Sequence, residues 1–120
     1  MPVVLIVDDD VDIVDAVSVV LQDEGHEVLA ATTADEALAI VRTRSPCLTL
    51  VDYHMPGVDP AALVAGLRRE GAGSIILCTA SDAGASLVQR AGADGLLAKP
   101  FAVEDLLALL RESAASHPSI

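Results

Sequence analysis

Five side chains in this sequence stand where a protein can do chemistry. Asp8 and Asp9 follow the run Val3-Val4-Leu5-Ile6-Val7. Asp52 ends Leu48-Thr49-Leu50-Val51, Thr79 ends Ser74-Ile75-Ile76-Leu77-Cys78, and Lys99 follows Gly95-Leu96-Leu97-Ala98. Short continuous apolar runs bounded by turn signals predict buried strands, so each group falls at a strand's C-terminal tip. In an open parallel α/β sheet those tips share one edge, and ligands bind there. Two carboxylates about 5 Å apart repel by roughly 3 kcal/mol at an effective dielectric of about 20, so three at one edge call for a cation. A hard divalent ion offsets the repulsion, and Mg²⁺ suits one or two carboxylates plus a phosphate. A carboxylate beside Mg²⁺, a lysine and a hydroxyl can attack a phosphoryl group in line and hold the product. The metal and Lys99, the only lysine in the chain, then spread charge from the phosphoryl oxygens. Asp52 is the candidate acceptor. Thr79 would hydrogen-bond a phosphoryl oxygen and draw its loop inward, coupling a charge event to a packing event.

Each of these residues has a plainer reading when taken alone. Asp8 and Asp9 could cap a helix, Thr79 could be an ordinary strand-end hydroxyl, Lys99 could serve a structural ion pair, and Met55-Pro56-Gly57 could be only a turn. Their joint placement at successive strand tips favours one shared site.

The elements that must position them follow from periodicity. A helix after Asp10 carries Ile13, Ala16, Val17, Val20 and Leu21 at helical spacing and stops at Gly25. Glu27 to Ala31 reads as a less apolar, edge strand. Thr33 with Glu36 fits a capping box for a helix with Ala37, Leu38 and Val41 inward, which runs to about Arg44 before Pro46. The Asp52 strand comes third. Ala61 to Glu70 reads as a helix with Leu63, Val64 and Leu67 as its apolar stripe, and Gly71 to Gly73 as a loop. After the Thr79 strand, Asp82 can cap a short helix to about Ala91. After Lys99, a last helix runs from Val103 to about Ser113. Its cap position, Ala102, is a poor one, and Glu104 and Asp105 compensate through the helix dipole. Five successive strand-then-helix units predict a parallel sheet with helices on both faces.

Composition narrows the function classes. The 120 residues predict a single domain, 1–120, with a core at about 3–113 and a frayed tail or linker start at 114–120. The chain is 52% hydrophobic with Tyr53 and Phe101 as its aromatics, so Val, Leu, Ile and Ala must build the core, as suits parallel strands under helices. A net charge of -11 argues against nucleic-acid binding by this domain. No apolar run reaches the roughly 18 residues of a membrane span, and the N-terminus lacks a signal peptide's basic region. The expectation is a cytoplasmic protein. Cys47 and Cys78 fall at opposite ends of neighbouring strands, roughly 13 Å apart by strand rise. That exceeds the ~7 Å reach of a disulfide, so both are expected to be reduced.

The motifs Val7-Asp8-Asp9-Asp10, Asp52-Tyr53-His54-Met55-Pro56-Gly57, Thr79-Ala80 and Lys99-Pro100-Phe101 together resemble the receiver domain of a bacterial two-component response regulator, across about residues 3 to 113. The resemblance implies a flavodoxin-like (βα)5 fold with strand order 2-1-3-4-5. It implies that Asp52 accepts a phosphoryl group from a phosphohistidine on a sensor histidine kinase or phosphotransfer protein. It also implies Mg²⁺ held by the Asp9 and Asp52 side chains and the His54 backbone carbonyl, with Asp8 acting mostly through water. Lys99 would contact the phosphoryl group, Thr79 and Ala80 would form the switch loop, and the Lys99–Pro100 bond would be cis. A downstream effector domain or protein would read the switch.

The sequence departs from the family pattern in places. Leu96 stands where receivers usually carry a Tyr or Phe that acts as a rotamer switch. Pro60 replaces a common Gly, and the segment from Thr79 to Lys99 is about two residues short. His54, two residues after Asp52, occupies a position that in the family tunes acyl-phosphate lifetime, and Ser81 would leave the site open to water. Two other functions compete. A pseudo-receiver would keep the fold as a protein-binding module without cycling through phosphate, and Leu96 points that way. A phosphatase of the haloacid-dehalogenase type would need a second Asp two residues after Asp52, where this chain has His54.

Overall fold

The structure, a computed structural model, describes residues 3–53, 55–79, 92–98, 104, 105, 107 and 108. In chain order these form β1 (Val3–Val7), α1 (Val11–Asp23), β2 (Glu27–Ala31), α2 (Ala34–Arg44), β3 (Leu48–Asp52), α3 (Pro60–Arg69), β4 (Ser74–Thr79) and β5 (Gly95–Ala98). The strands make one sheet of order β2-β1-β3-β4-β5, and every neighbouring pair is parallel. The expected fold class and strand order hold. Glu104, Asp105, Leu107 and Ala108 are helical, within the span expected for the last helix. The short helix expected after Asp82 lies outside the described residues.

Successive side chains of a strand point to opposite faces, and the core divides accordingly. Leu5, Val7, Val51, Ile75 and Leu77 pack with Ala37 and Val41 of α2 and Leu63, Val64 and Leu67 of α3. Val4, Ile6, Leu48, Leu50, Ile76 and Cys78 pack with Val14, Val17 and Leu21 of α1 and with Leu97 of β5. The central strands are therefore apolar on both sides, which explains their unbroken hydrophobic runs. β2 is half-buried along most of its length and lies at a sheet edge, as its weaker hydrophobicity predicts. Thr49, wholly buried in mid-strand, is the polar exception in β3.

The helix ends refine the sequence reading. Asp10 caps α1, its Oδ1 accepting from the Asp12 amide at 3.0 Å. The buried stripe of α1 is Val14, Val17 and Leu21, whereas Ala16 is exposed. Both Ala16 and Val14 fit an apolar periodicity, and only packing against the sheet selects the face. Thr33 caps α2 through the Glu36 amide at 3.2 Å, but Glu36 reaches back to the amide and hydroxyl of Thr32, at 3.1 and 2.9 Å. This widens the capping box by one residue. The Thr32 and Thr33 hydrogen bonds hold the Glu36 carboxyl below its ordinary value. α3 starts at Pro60 rather than Ala61, with Asp59 as its cap at 3.1 Å from the Ala61 amide. A proline at the first helical position forgoes an amide that would have no helical partner, so Pro60 acts as a helix starter.

Candidate functional site

β1 and β3 run side by side with Val7 level with Val51. The next residue of each strand is therefore an aspartate at the same height, and β4 brings Cys78 level with Asp52. Asp8 extends the ladder through its amide to the Ala31 carbonyl at 3.1 Å, and the Tyr53 amide does the same to the Cys78 carbonyl at 2.9 Å. The backbone is thus held up to and past the points where the carboxylates emerge. Thr79 closes β4 opposite Ala98, one position further along the same edge. The strand register alone gathers these tips, as the sequence predicts.

One carboxylate oxygen from each of Asp8, Asp9 and Asp52 lies within 4.8 Å of the other two. Asp8 and Asp52 are 4% and 8% exposed and Thr79 is fully buried, whereas Asp9 faces solvent. The site is a recess with two carboxylates in its wall and a third at its mouth. Asp8 also accepts from the Asp10 amide at 3.0 Å, which fixes its rotamer. With Asp10 serving as the helix cap, Asp9 is not needed for that role. The cap that the plainer reading placed at Asp8 and Asp9 falls on Asp10. Beneath the carboxylates the recess is apolar, walled by Ile6, Leu50, Cys78 and Val17.

Carboxylates gathered this closely repel one another. The donor set is all hard oxygen, with one side open to water. Those properties fit an oxygen-seeking divalent cation that retains part of its hydration, and fit a soft, thiolate-seeking metal poorly. Cys47 and Cys78 form no disulfide, as their expected separation predicts.

The loop after Asp52 is anchored by a residue read from sequence only as part of a turn. Met55 is buried at 5% exposure in the core beneath α2 and α3. Its carbonyl accepts from the Val58 amide at 3.1 Å, and Gly57 has φ 75°, the left-handed value that a Pro-Gly turn of type II requires at its third residue. The Pro-Gly pair signalled the turn, but the inward Met55 had no periodic neighbours to reveal it. Leu96 stands in β5 level with Leu77. His54, Ala80, Lys99 and Pro100 lie outside the described residues, and so does the Lys99–Pro100 bond.

Comparison with known proteins agrees with this geometry. Residues 4–111 match the family described as the response regulator receiver domain. The chain is 34% identical over 113 residues to the phosphate regulon transcriptional regulatory protein PhoB of Pseudomonas aeruginosa, covering 90% of this chain and 49% of that protein. It is 31% identical over 110 residues to the DNA-binding response regulator MtrA of Mycobacterium tuberculosis, covering 90% of this chain and 48% of that one. The chain thus spans about half the length of these curated relatives. Among solved structures, the chemotaxis protein CheY4 of Vibrio cholerae superposes with a TM-score of 0.85 at 33% identity, covering 94% of this chain and 98% of that one. The receiver domain of NtrX from Brucella abortus gives 0.84 at 30% identity, covering 95% and 99%. With the family matched over nearly its whole length and the acidic recess at the sheet edge, this chain belongs to the response regulator receiver domain family.

Proposed function

We propose that this receiver domain is a phosphorylated switch in which Asp52 is the acceptor. The observation that carries the reading is the convergence of Asp8, Asp9 and Asp52 within 4.8 Å at the sheet edge where β4 ends in Thr79 and where, in sequence, Lys99 follows β5. A carboxylate oxygen of Asp52 attacks the phosphorus of a phosphohistidine on a sensor kinase or phosphotransfer protein. The P–N bond breaks, the imidazole nitrogen keeps the electron pair, and an aspartyl phosphate forms. Asp9, Asp52 and, as the family likeness implies, the His54 backbone carbonyl would hold Mg²⁺, with Asp8 acting mostly through water, and the ion would supply charge neutralisation for the carboxylates and the phosphoryl oxygens.

Lys99 would pair with a phosphoryl oxygen, placing a fixed positive charge where negative charge gathers. Thr79 would donate to another. The apolar wall beneath Asp52 excludes water from the underside, while the open mouth at Asp9 admits the donor and, later, the water that hydrolyses the acyl phosphate. A domain or protein outside these residues would read the resulting surface, consistent with relatives about twice this chain's length. Leu96 implies that the readout does not use the family's usual aromatic switch. No described helix is long and apolar enough to cross a membrane, and a cytoplasmic site of action fits a partner of this kind.

The test is intact mass after incubation with Mg²⁺ and acetyl phosphate. The parent is expected to gain one phosphoryl group and Asp52→Asn none. Absence of uptake by the parent, from acetyl phosphate and from a phosphorylated histidine kinase alike, would reject the switch in favour of a protein-binding pseudo-receiver.

A further inference from the structure

β5 has four residues and lies at the sheet edge, yet it must deliver the residue after Ala98 to the phosphoryl site. Its described side chains offer the register one anchor. Gly95 has none, and its backbone approaches so closely that a Cβ there would lie 3.0 Å from Ile76 Cδ1. Leu97 is the anchor in the core. In a short strand of this kind a slip by one residue reverses every face and moves the chain by about 3.3 Å.

What pins the strand lies at its other end. The Asp94 amide donates to the Ile75 carbonyl at 2.8 Å, and the Ile75 amide donates back to Asp94 Oδ2 at 2.8 Å. Ile75 is fully buried, so its amide requires a partner, and the Asp94 carboxylate provides one just before the β4–β5 ladder begins at Ile76 and Gly95. Arg68 then locks the carboxylate. Its Nη2 lies 2.9 Å from Asp94 Oδ2, and its Nε and Nη2 donate to the Gly92 carbonyl at 3.0 and 2.8 Å. An exposed ion pair alone contributes little. This one is fastened to a buried amide on one side and, on the other, to α3, which is rooted in the core by Leu63, Val64 and Leu67.

We propose that Arg68 and Asp94 are positioning residues for the phosphoryl site, holding β5 in register and thereby setting the place of Lys99. The proposal rests on the phosphoryl reading above. Asp8, Asp9 and Asp52 emerge from β1 and β3, neither of which pairs with β5. Loosening the clamp therefore separates two properties of the site: cation binding is kept while phosphoryl transfer slows.

The experiment uses the parent, Asp94→Ala, Arg68→Ala, Asp94→Asn, Lys99→Ala and the Asp94→Ala/Lys99→Ala pair. Phosphoryl uptake from acetyl phosphate is followed by intact mass, and Mg²⁺ affinity by titration calorimetry. Uptake by Asp94→Ala and Arg68→Ala is expected to slow by at least about tenfold, since a misplacement near 1 Å is enough for such losses, with the Mg²⁺ affinity kept. Asp94→Asn retains an oxygen for the Ile75 amide and is expected to recover most of the rate. The double variant is expected to be no slower than Lys99→Ala alone, because residues acting through one group are not additive. Should Asp94→Ala fail to fold, Arg68→Ala carries the same test. Parent-like uptake in the folded alanine variants of the clamp, joint loss of Mg²⁺ affinity and uptake, or a fully additive double variant overturns the proposal. A parent that takes up no phosphoryl group fails the underlying reading, and the proposal with it. A parent that works beside clamp variants that work equally well fails the proposal alone.

Discussion

The two edges of the sheet, built from the same parallel strands, treat charge in opposite ways. At the C-terminal edge, carboxylates from β1 and β3 converge, with Asp8, Asp9 and Asp52 within 4.8 Å of one another. At the N-terminal edge, acids meet arginines. Arg42 bonds Glu70 at 2.7 Å and Arg68 bonds Asp94 at 2.9 Å, while Arg44 pairs with Glu27. The N-terminal edge is also packed backbone to backbone, with the Ser74 amide on the Cys47 carbonyl at 3.0 Å. One edge satisfies its own charges and fixes strand register. The other concentrates like charge in an all-oxygen cluster that could hold a cation. The difference separates the part of the molecule that maintains the fold from the part that does chemistry.

Gly73→Ala attacks the packed edge most directly. A Cβ at Gly73 would stand 2.4 Å from the Cys47 carbonyl oxygen, a backbone atom that cannot move without shifting β3. Stability is expected to fall by about 2–3 kcal/mol in urea denaturation, with Mg²⁺ affinity per folded molecule unchanged. Equal stability in the variant would show that this edge is not the rigid one.

Asp9→Asn probes the acidic edge with a smaller effect and the opposite sign. Removing one of three crowded charges is expected to raise stability by about 1 kcal/mol in low salt without divalent cation, and by less as salt screens the exposed carboxylate. The same change weakens Mg²⁺ binding, so added Mg²⁺ stabilises the variant less than the parent. Loss of stability without cation would mean that Asp9 serves the fold after all.

The smallest effect concerns acid. The Arg42 guanidinium hydrogen-bonded to Glu70 holds the Glu70 carboxyl below its ordinary value of 4.5. A carboxyl lowered on folding contributes stability above its unfolded value and loses it as pH falls through the folded one. Denaturation curves of Glu70→Gln and parent should therefore differ near neutral pH and converge below about pH 4.5. A gap that persists into acid would assign Glu70 some role other than its ion pair.

Much of this was legible in advance because burial on both faces leaves a strong mark. Strands such as β3 are apolar up to their tip but for Thr49, so a carboxylate at the end of such a run stands out. The alternation of strand and helix then forces parallel tips onto one edge. The cap at Thr33 was legible for the same reason, since its spacing to Glu36 is local.

Where several residues met a local rule equally well, sequence could not choose among them. Ala16 and Val14 both suit an apolar face of α1, and the sheet selected Val14. Asp8, Asp9 and Asp10 are alike as acids, and the turn into α1 made Asp10 the cap. The Arg68–Asp94 clamp joins residues 26 positions apart and follows no local periodicity. The sequence by itself determined the fold class, the strand order through its family likeness, and which acids gather at the sheet edge, because these follow from hydrophobic burial and chain connectivity. Only the tertiary structure decided which aspartate caps, that Met55 roots the loop, and which ion pairs hold the register of β5, because those depend on distances between elements that no local pattern encodes.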